Sequence, residues 1–279
     1  MIGVFDSGYG GLAILKDLLK ELPQYDYMYL GDNARIPYGN RNTRTLIAYT
    51  EQAVEYLFAQ GCTLIIIACN TASEKVLRHL QAKYLREPGI TNRKILGVIK
   101  PQVEAAIKVT THGRIGVVAT QSTIASKSFE TELKKLWPPR ESLHIATQAC
   151  PLLVPLIEEN WHKKPETKMI LKKYLQNIKT HNIDTLILAC THYAFLYKDF
   201  QRIMGKKVRI LNPGPLIAAS LKNYLQRHPE IEKELSRAQG ATTAARRIYQ
   251  TTGDPKKFQQ MGSEFLGQAL KDVKQVELG

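Results

Sequence analysis

Two cysteines occur in nearly the same local sequence, far apart in the chain. Cys69 follows the apolar run 64–68 and Cys190 follows the similar run 185–189, and small hydroxyl or amide residues come after both. A thiol can release a proton and take one back, because its reference pKa is about 8.5. Two thiols at one site could therefore act as a paired acid and base. A buried core cysteine would explain either one alone equally well, but the matched pair favours a site.

Each of these cysteines comes at the end of what reads as a buried parallel strand, a short apolar run followed by polar residues. Ligands of open α/β sheets bind beyond the carboxyl ends of the strands, so we expect both thiols there. Two further segments, 2–7 and 115–120, resemble each other at nearly the same separation. This repetition predicts two similar α/β halves that place the two thiols at one shared site.

The rest of the chain alternates between strand and helix patterns. Predicted strands cover 2–5, 27–30, 64–68, 95–99, 114–119, 143–148, 185–189 and 208–211. Predicted helices cover 12–22, 43–60, 73–84, 163–179, 216–227 and 255–272. The pattern predicts mostly parallel sheets in two α/β domains, 1–98 plus 211–279 and 99–210, related by a pseudo-twofold axis with the active site between them.

The composition suits a globular protein, since 44% of the 279 residues are hydrophobic. No apolar run approaches the ~20 residues of a membrane-spanning helix, and a strand at Ile2 leaves no room for a signal peptide, so we expect a cytoplasmic protein without a membrane. The four cysteines, Cys62, Cys69, Cys150 and Cys190, include no CxxC pair and are too few for a disulfide scaffold. The histidines show no ligand spacing with them, so no metal site is predicted.

The net charge of +14 is unusually positive. The densest basic zone, 163–179, has apolar residues at spacings of three and four, with most lysines on the opposite side. A solvated amphipathic helix is therefore favoured over a nucleic-acid-binding patch. The positive field would also steer an acidic substrate towards the protein.

The glycine-rich turn after the first strand permits another interpretation. Gly8, Gly10 and Ala13 fit a loose dinucleotide-binding fingerprint, and Asp32 follows the next strand about 20 residues on. This pattern would indicate an NAD enzyme. We disfavour it because the carboxylate of Asp6 would lie where the pyrophosphate should bind, and the two negative charges would repel.

Four blocks in order along the chain resemble the signature blocks of the glutamate racemase family, in the cofactor-independent aspartate/glutamate racemase superfamily. These blocks are Asp6-Ser7-Gly8, the segment 31–39, Cys69-Asn70-Thr71-Ala72 and Cys190-Thr191-His192-Tyr193. The resemblance continues through 149–158 and 252–255, so it spans nearly the whole chain. It implies interconversion of L- and D-glutamate without metal or pyridoxal phosphate, supplying D-glutamate for peptidoglycan, by a cytoplasmic homodimer.

The resemblance also implies roles for individual residues. Cys69 would be the base toward D-glutamate and Cys190 the base toward L-glutamate. Asp6 would assist Cys69, His192 would assist Cys190, and Glu158 would orient the histidine. From the residues alone, Asp6 could equally be a helix N-cap, His192 an ordinary hydrogen-bonded residue and Glu158 a solvated side chain.

Substrate binding is assigned by the same resemblance to hydroxyl, amide and backbone groups, which bind carboxylates without a dedicated arginine. The predicted substrate-binding residues are Asp6, Ser7, Tyr38, Gly39, Asn70, Thr71, Thr191 and His192. Cys62 matches no catalytic position and is expected to be structural. Cys150 is expected to lie near the site without taking part.

Three positions depart from the family pattern. Asn33 stands where threonine is usual, Ala194 where proline is usual, and Lys100-Pro101-Gln102 replaces a more usual Pro-Gly pairing. None of them is a thiol, so the departures concern loop geometry and turnover rather than the identity of the chemistry.

Other functions remain open at this stage. One is a racemase of the same superfamily that acts on aspartate or another amino acid. A second is a hydrolase that uses Cys190 and His192, which would leave Cys69 unexplained. A third is a basic binding protein that contacts nucleic acid or, as some racemases of this family do, DNA gyrase.

Overall fold

The computed structural model describes residues 1–84, 93–236 and 245–279. Its strands are β1 (Ile2–Asp6), β2 (Tyr27–Gly31), β3 (Leu64–Ile67), β4 (Lys94–Gly97), β5 (Arg114–Ala119), β6 (His144–Ala149), β7 (Thr185–Ala189), β8 (Arg209–Leu211), β9 (Arg247–Thr251) and β10 (Lys274–Gln275). Its helices are α1 (Gly11–Glu21), α2 (Thr43–Ala59), α3 (Asn70–Tyr84), α4 (Ile99–Val109), α5 (Gln121–Ala125), α6 (Ser128–Leu136), α7 (Leu153–Glu158), α8 (Pro165–Thr180), α9 (Tyr197–Met204), α10 (Pro213–Arg227), α11 (Pro229–Lys233) and α12 (Pro255–Leu266). Short 3₁₀ segments cover Tyr38–Asn40 and Thr191–Leu196.

The strands form two parallel sheets, with the orders β10-β9-β2-β1-β3-β4 and β6-β5-β7-β8. Most of the central strands are apolar and buried, as parallel strands covered by helices on both faces must be. In each sheet the strand that precedes a cysteine lies beside the first strand of its half: β3 pairs with β1, and β7 pairs with β5. The predicted α/β class with mostly parallel sheets is confirmed.

Strand register fixes where the thiols emerge. Phe5 pairs with Ile67, and the next amide, that of Ala68, donates to the Phe5 carbonyl at 2.8 Å. In the second sheet Ala119 pairs with Ala189, one residue before Cys190. Both cysteines therefore lie just beyond the carboxyl ends of their strands, where the sequence pattern predicted them.

A continuous apolar core joins the two sheets. It includes Val4 of β1 and Leu12 of α1 together with Leu188 of β7 and Tyr193. The helix α1 packs on α10, which follows the last strand of the second sheet. This shared packing holds the two strand-end regions against each other.

Several predicted boundaries are wrong. The strand predicted at 95–99 ends at Gly97, and Ile99 begins α4, because an apolar run does not distinguish a strand from the start of a buried helix. The helix predicted from Ser73 begins at Asn70, and the one predicted to 272 ends at Leu266, before Gly267 in the left-handed region. Strands β9 and β10 were not predicted.

The limits of the two domains, 1–98 plus 211–279 and 99–210, stay a prediction. The basic zone forms α8, whose buried residues are Thr167, Leu171, Leu175 and Ile178 while most of its lysines are exposed. Within the described ranges, no helix has the length and apolar character needed to cross a membrane.

Candidate active site

A small cavity lies between the carboxyl ends of the two sheets. Its volume is about 60 Å³, which suits a small molecule rather than a polymer. Both cysteines line it, together with the predicted residues Ser7, Tyr38, Gly39, Asn70, Thr71, Glu158, Thr191 and His192. The fold thus gathers residues from both halves of the chain at one site.

Cys69 occupies the first side of this cavity and is only 6% exposed. Its thiol donates a hydrogen bond to Ser7 Oγ, with 3.5 Å between sulphur and oxygen. Burial, and then the nearby negative charge of Asp6, raise the pKa of Cys69 to about 12, while the bond to Ser7 opposes this rise. The surroundings therefore favour a neutral thiol that can donate a proton.

Asp6 is fully buried at the end of β1. Its carboxylate accepts hydrogen bonds from the amide of Gly8 at 2.9 Å and from the hydroxyl of Thr191 at 3.4 Å. Burial raises the pKa of Asp6, and the charge of His192 lowers it. Asp6 thus acts on Cys69 through its charge and ties the first half of the chain to the second. Gly10, rather than Asp6, occupies the N-cap of α1.

Cys190 occupies the other side of the cavity and is also 6% exposed. Its sulphur lies 3.9 Å from Nδ1 of His192, whose Nε2 lies 3.0 Å from Oε1 of Glu158. Burial alone would lower the pKa of His192, but the interactions with Cys190 and Glu158 hold it well above its ordinary value. His192 is therefore an imidazolium between the sulphur of Cys190 and the carboxylate of Glu158.

Two of the predicted substrate-binding residues have side chains that already contact other residues. The hydroxyl of Tyr38 donates to Oδ2 of Asp32, so Tyr38 has its backbone left to offer a substrate. The hydroxyl of Thr71 lies 3.2 Å from that of Thr120 and 3.3 Å from that of Thr123, which belong to the other half. These contacts bridge the two halves at the cavity.

Thr120 and Gln121 line the cavity although sequence reasoning did not select them. Thr120 caps α5 directly after β5. The internal repetition offered a signal that was not used, since Thr120 takes the place in segment 115–120 that Ser7 takes in segment 2–7. Further lining residues that were not predicted are Ile36, Pro37, Asn40, Pro151, Val154, Pro155 and Ala189.

The dinucleotide-binding interpretation fails on the same geometry. A side chain at Gly10 would come within 2.2 Å of Thr191 Oγ1, so the glycine turn is packed against the other half of the protein rather than open to pyrophosphate. Asp32 is fully buried and accepts hydrogen bonds from Arg35, Tyr38 and Thr252. Its carboxylate is therefore not available to a ribose.

The two remaining cysteines are buried and free. Cys62 packs beside Gly3 in the apolar core of the first sheet and does not line the cavity. Cys150 follows β6 and is close enough to Cys190 for their charges to interact, but it does not line the cavity. These positions are compatible with the inactive roles predicted for both.

The fold and the paired thiols define a class of protein, an α/β protein with two cysteines facing one small cavity. The model of the Asp/Glu/Hydantoin racemase family matches residues 3–221, and the chain belongs to this family. Among its relatives, the glutamate racemase of Geobacter metallireducens is 36% identical, covering 99% of this chain and 96% of that protein. The glutamate racemase of Enterococcus faecalis is 34% identical, covering 100% of this chain and 96% of its own.

Solved structures of glutamate racemases have the same fold over the full length of the chain. Isoform RacE1 from Bacillus anthracis superposes with a TM-score of 0.88 at 32% identity, covering 100% of this chain and 97% of that one. The enzyme from Francisella tularensis, solved in complex with D-glutamate, gives 0.86 at 31% identity, covering 99% and 97%.

Proposed function

We propose that this protein interconverts L- and D-glutamate by proton transfer between two thiols. The observation that carries the proposal is the placement of Cys69 and Cys190 on one small cavity, each with its own acid–base neighbours. The glutamate racemases described above are similar to the whole chain, and one of them was solved with D-glutamate.

In the direction from L- to D-glutamate, the sulphur of Cys190 takes the α-proton and Cys69 donates a proton to the opposite face of the α-carbon. One C–H bond breaks and another forms, so no net proton is consumed. The imidazolium of His192, held by Glu158, supports the negative charge that Cys190 needs before the step. The reverse direction uses Cys69 as base and Cys190 as acid, and Asp6 assists Cys69.

The substrate carboxylates would be bound by neutral donors rather than by arginine. The helix α3 begins at Asn70, directly after Cys69, so its first backbone N–H groups and the positive end of its dipole lie at the cavity. Ser7, Thr71 and Thr191 add hydroxyls, and Gly39 adds backbone.

The similarity of the chain to glutamate racemases favours glutamate over aspartate as the substrate. The aspartate racemase of Picrophilus torridus covers 81% of this chain with a TM-score of 0.51 at 19% identity, which is a likeness of fold alone. A hydrolase mechanism at Cys190 and His192 would leave Cys69 and its hydrogen bond to Ser7 without a use.

The proposal extends to the biological role, the location and the oligomeric state of the protein. We take the D-glutamate to be made in the cytoplasm for peptidoglycan, by a homodimer that needs neither metal nor pyridoxal phosphate. Activity should therefore survive EDTA and hydroxylamine. Contact with DNA gyrase stays a prediction, and nucleic-acid binding stays disfavoured because the basic zone is the solvated face of α8.

The test of the two-thiol mechanism is racemisation in D₂O. Thiols exchange their protons with water quickly, so both cysteines carry deuterium before turnover. Starting from L-glutamate, early D-glutamate should be almost fully labelled at the α-carbon, while the remaining L-glutamate stays nearly unlabelled. Proton NMR of both enantiomers at low conversion measures this. Substantial unlabelled product would mean that a single base serves both faces, and the assignment of two thiols would be wrong.

A further inference from the structure

Gln102 is a fully buried amide on α4, a helix that contributes no residue to the lining of the cavity. Its Nε2 lies 2.9 Å from the backbone carbonyl of Val98 and 2.9 Å from the side chain of Asn70, which does line the cavity. We propose that Gln102 is a positioning residue that fixes the orientation of the Asn70 amide toward the substrate. This inference rests on the proposed function.

The hydrogen-bond pattern decides which way both amides face. A backbone carbonyl can only accept, so the Gln102 atom beside Val98 must be the nitrogen. The same nitrogen then donates to Asn70, which must present its Oδ1. The Nδ2 of Asn70 is left as a donor, and among the described residues it has no hydrogen-bond partner, although Asn70 is only 3% exposed. A substrate carboxylate, which only accepts, is the matching partner.

Gln102 is not explained by stability. Its Oε1 is buried and, within the part of the chain that the structure describes, accepts no hydrogen bond, which is unfavourable for an amide in an apolar helix face. Neighbours on the same face are Ile99, Val103 and Ala106, all buried and apolar. An apolar residue would be the better choice for packing alone, so the amide is best explained by its contact with Asn70.

Two substitutions test the orientation. Gln102→Met keeps the size and removes the donor, and Gln102→Glu replaces the donor with an acceptor, so that Asn70 must turn and face the substrate with its oxygen. Because a hydrogen bond to a carboxylate is made in the ground state and the transition state alike, we expect KM for glutamate to rise with kcat little changed. The expected rise for Gln102→Glu is about ten- to a hundredfold, the range for a hydrogen bond to a charged group.

The kinetics include an internal check. L- and D-glutamate have equal free energies, so kcat/KM must fall by the same factor in both directions. Gln81→Met is the matched control, because the Gln81 amide also donates to a backbone carbonyl, that of Ile95, without touching Asn70. It should leave KM unchanged. In an Asn70→Ala background, Gln102→Met and Gln102→Glu should have no further effect on KM.

A merely structural role predicts other results. If the Gln102 variants lose activity in parallel with Tm, or if their effects add to that of Asn70→Ala, the positioning role is wrong. We expect Gln102→Met to keep or raise Tm, since it removes a buried unpaired oxygen. Should Gln102→Glu not fold, Gln102→Met still decides between the two outcomes.

A measurement without turnover separates this inference from the proposed function. In ¹⁵N-labelled protein, the Asn70 side-chain NH₂ signals are identified by their loss in Asn70→Ala. They should shift in both Gln102 variants and not in Gln81→Met, whether or not the protein acts on glutamate. Unshifted signals would overturn the positioning role even in an active racemase. Shifted signals in a protein that does not racemise glutamate would overturn the proposed function alone.

Discussion

The surroundings of Cys69 and Cys190 share a backbone plan and differ in their chemistry. Each cysteine follows the strand beside the first strand of its half and is 6% exposed. Cys69 is followed by a long α-helix, has Ser7 as its hydrogen-bond acceptor and lies near the buried Asp6. Cys190 is followed by a 3₁₀ segment and lies beside His192.

This difference teaches that a repeated fold can give two similar groups different electrostatic surroundings. Near Cys69, burial and the carboxylate of Asp6 disfavour negative charge on sulphur, whereas Cys190 lies beside His192, whose pKa is held well above its ordinary value. A racemase needs one acid and one base at the start of each turnover. The difference between the two surroundings suits the proposed use of Cys190 as the base toward L-glutamate.

The largest expected effect comes from removing either thiol. Cys69→Ala and Cys190→Ala should each lose at least about 10²- to 10⁴-fold in kcat/KM, the usual contribution of one positioned acid or base. Circular dichroism with L- or D-glutamate measures both directions. Cys62→Ala and Cys150→Ala are the controls and should keep most activity. A Cys150→Ala variant as inactive as Cys190→Ala would show that the wrong pair was chosen.

The second largest effect is expected where Gly10 of the first half packs against Thr191 and His192 of the second half. In Gly10→Ala the new methyl group would lie 2.2 Å from Thr191 Oγ1 and 2.6 Å from His192 Nδ1, so both must move. Displacement of a catalytic group by about 1 Å can cost about 10²-fold in rate, and we expect a loss in kcat of that order. Gly262→Ala is the control, since its methyl group would clash with Leu270 in the core. Gly262→Ala should lower Tm and leave kcat unchanged. Equal losses of kcat in Gly10→Ala and Gly262→Ala would contradict a catalytic role for the contact of Gly10 with Thr191 and His192.

A pH profile sharpens the difference between the two thiols. Glu158 helps to hold the pKa of His192 above its ordinary value, and Cys190 and Asp6 are the other charged groups that act on this site. Glu158→Gln removes one of the two interactions that oppose burial, so the imidazolium is lost at lower pH. The alkaline limb of kcat/KM should therefore move to lower pH. Glu159 is an exposed neighbour, and Glu159→Gln should leave the alkaline limb of kcat/KM unchanged. If the limb is also unchanged in Glu158→Gln, Glu158 does not set the protonation of His192.

The smallest effect is expected from the hydrogen bond between Cys69 and Ser7. Ser7→Ala removes the acceptor of the Cys69 S–H and raises the pKa of Cys69 further, because that hydrogen bond lowers it. One neutral hydrogen bond is worth about 1 kcal/mol, so we expect a loss of about fivefold in kcat/KM. Ser263→Ala removes a hydroxyl that donates to the Gln259 carbonyl and does not line the cavity, so it serves as control. A loss above about 10²-fold for Ser7→Ala would give Ser7 a direct part in catalysis.

Much of the site was predictable because it follows from local patterns. Apolar runs ending in Ala-Cys predict buried strands, and strands in parallel sheets present their carboxyl ends at one edge. The strand and turn that carry Asp6 and Ser7 are equally local. Strand β9 was missed because Arg247–Thr251 has only two apolar residues, Ile248 and Tyr249, and no polar/apolar alternation. Its pairing with β2 joins Tyr27 to Arg247, which are 220 positions apart in the chain.

The amino-acid sequence by itself determined the two strand-end thiols, their small polar neighbours and the parallel α/β architecture, because these depend on hydrophobic pattern and chain direction. The family resemblance implied the pair of Glu158 and His192, which the structure brings together. Only the tertiary structure decided the contacts of Thr191 with Asp6 and of Gln102 with Asn70. The residues of each pair come from different elements and meet through packing. A side chain's protonation and orientation depend on burial and contact, which no local pattern records.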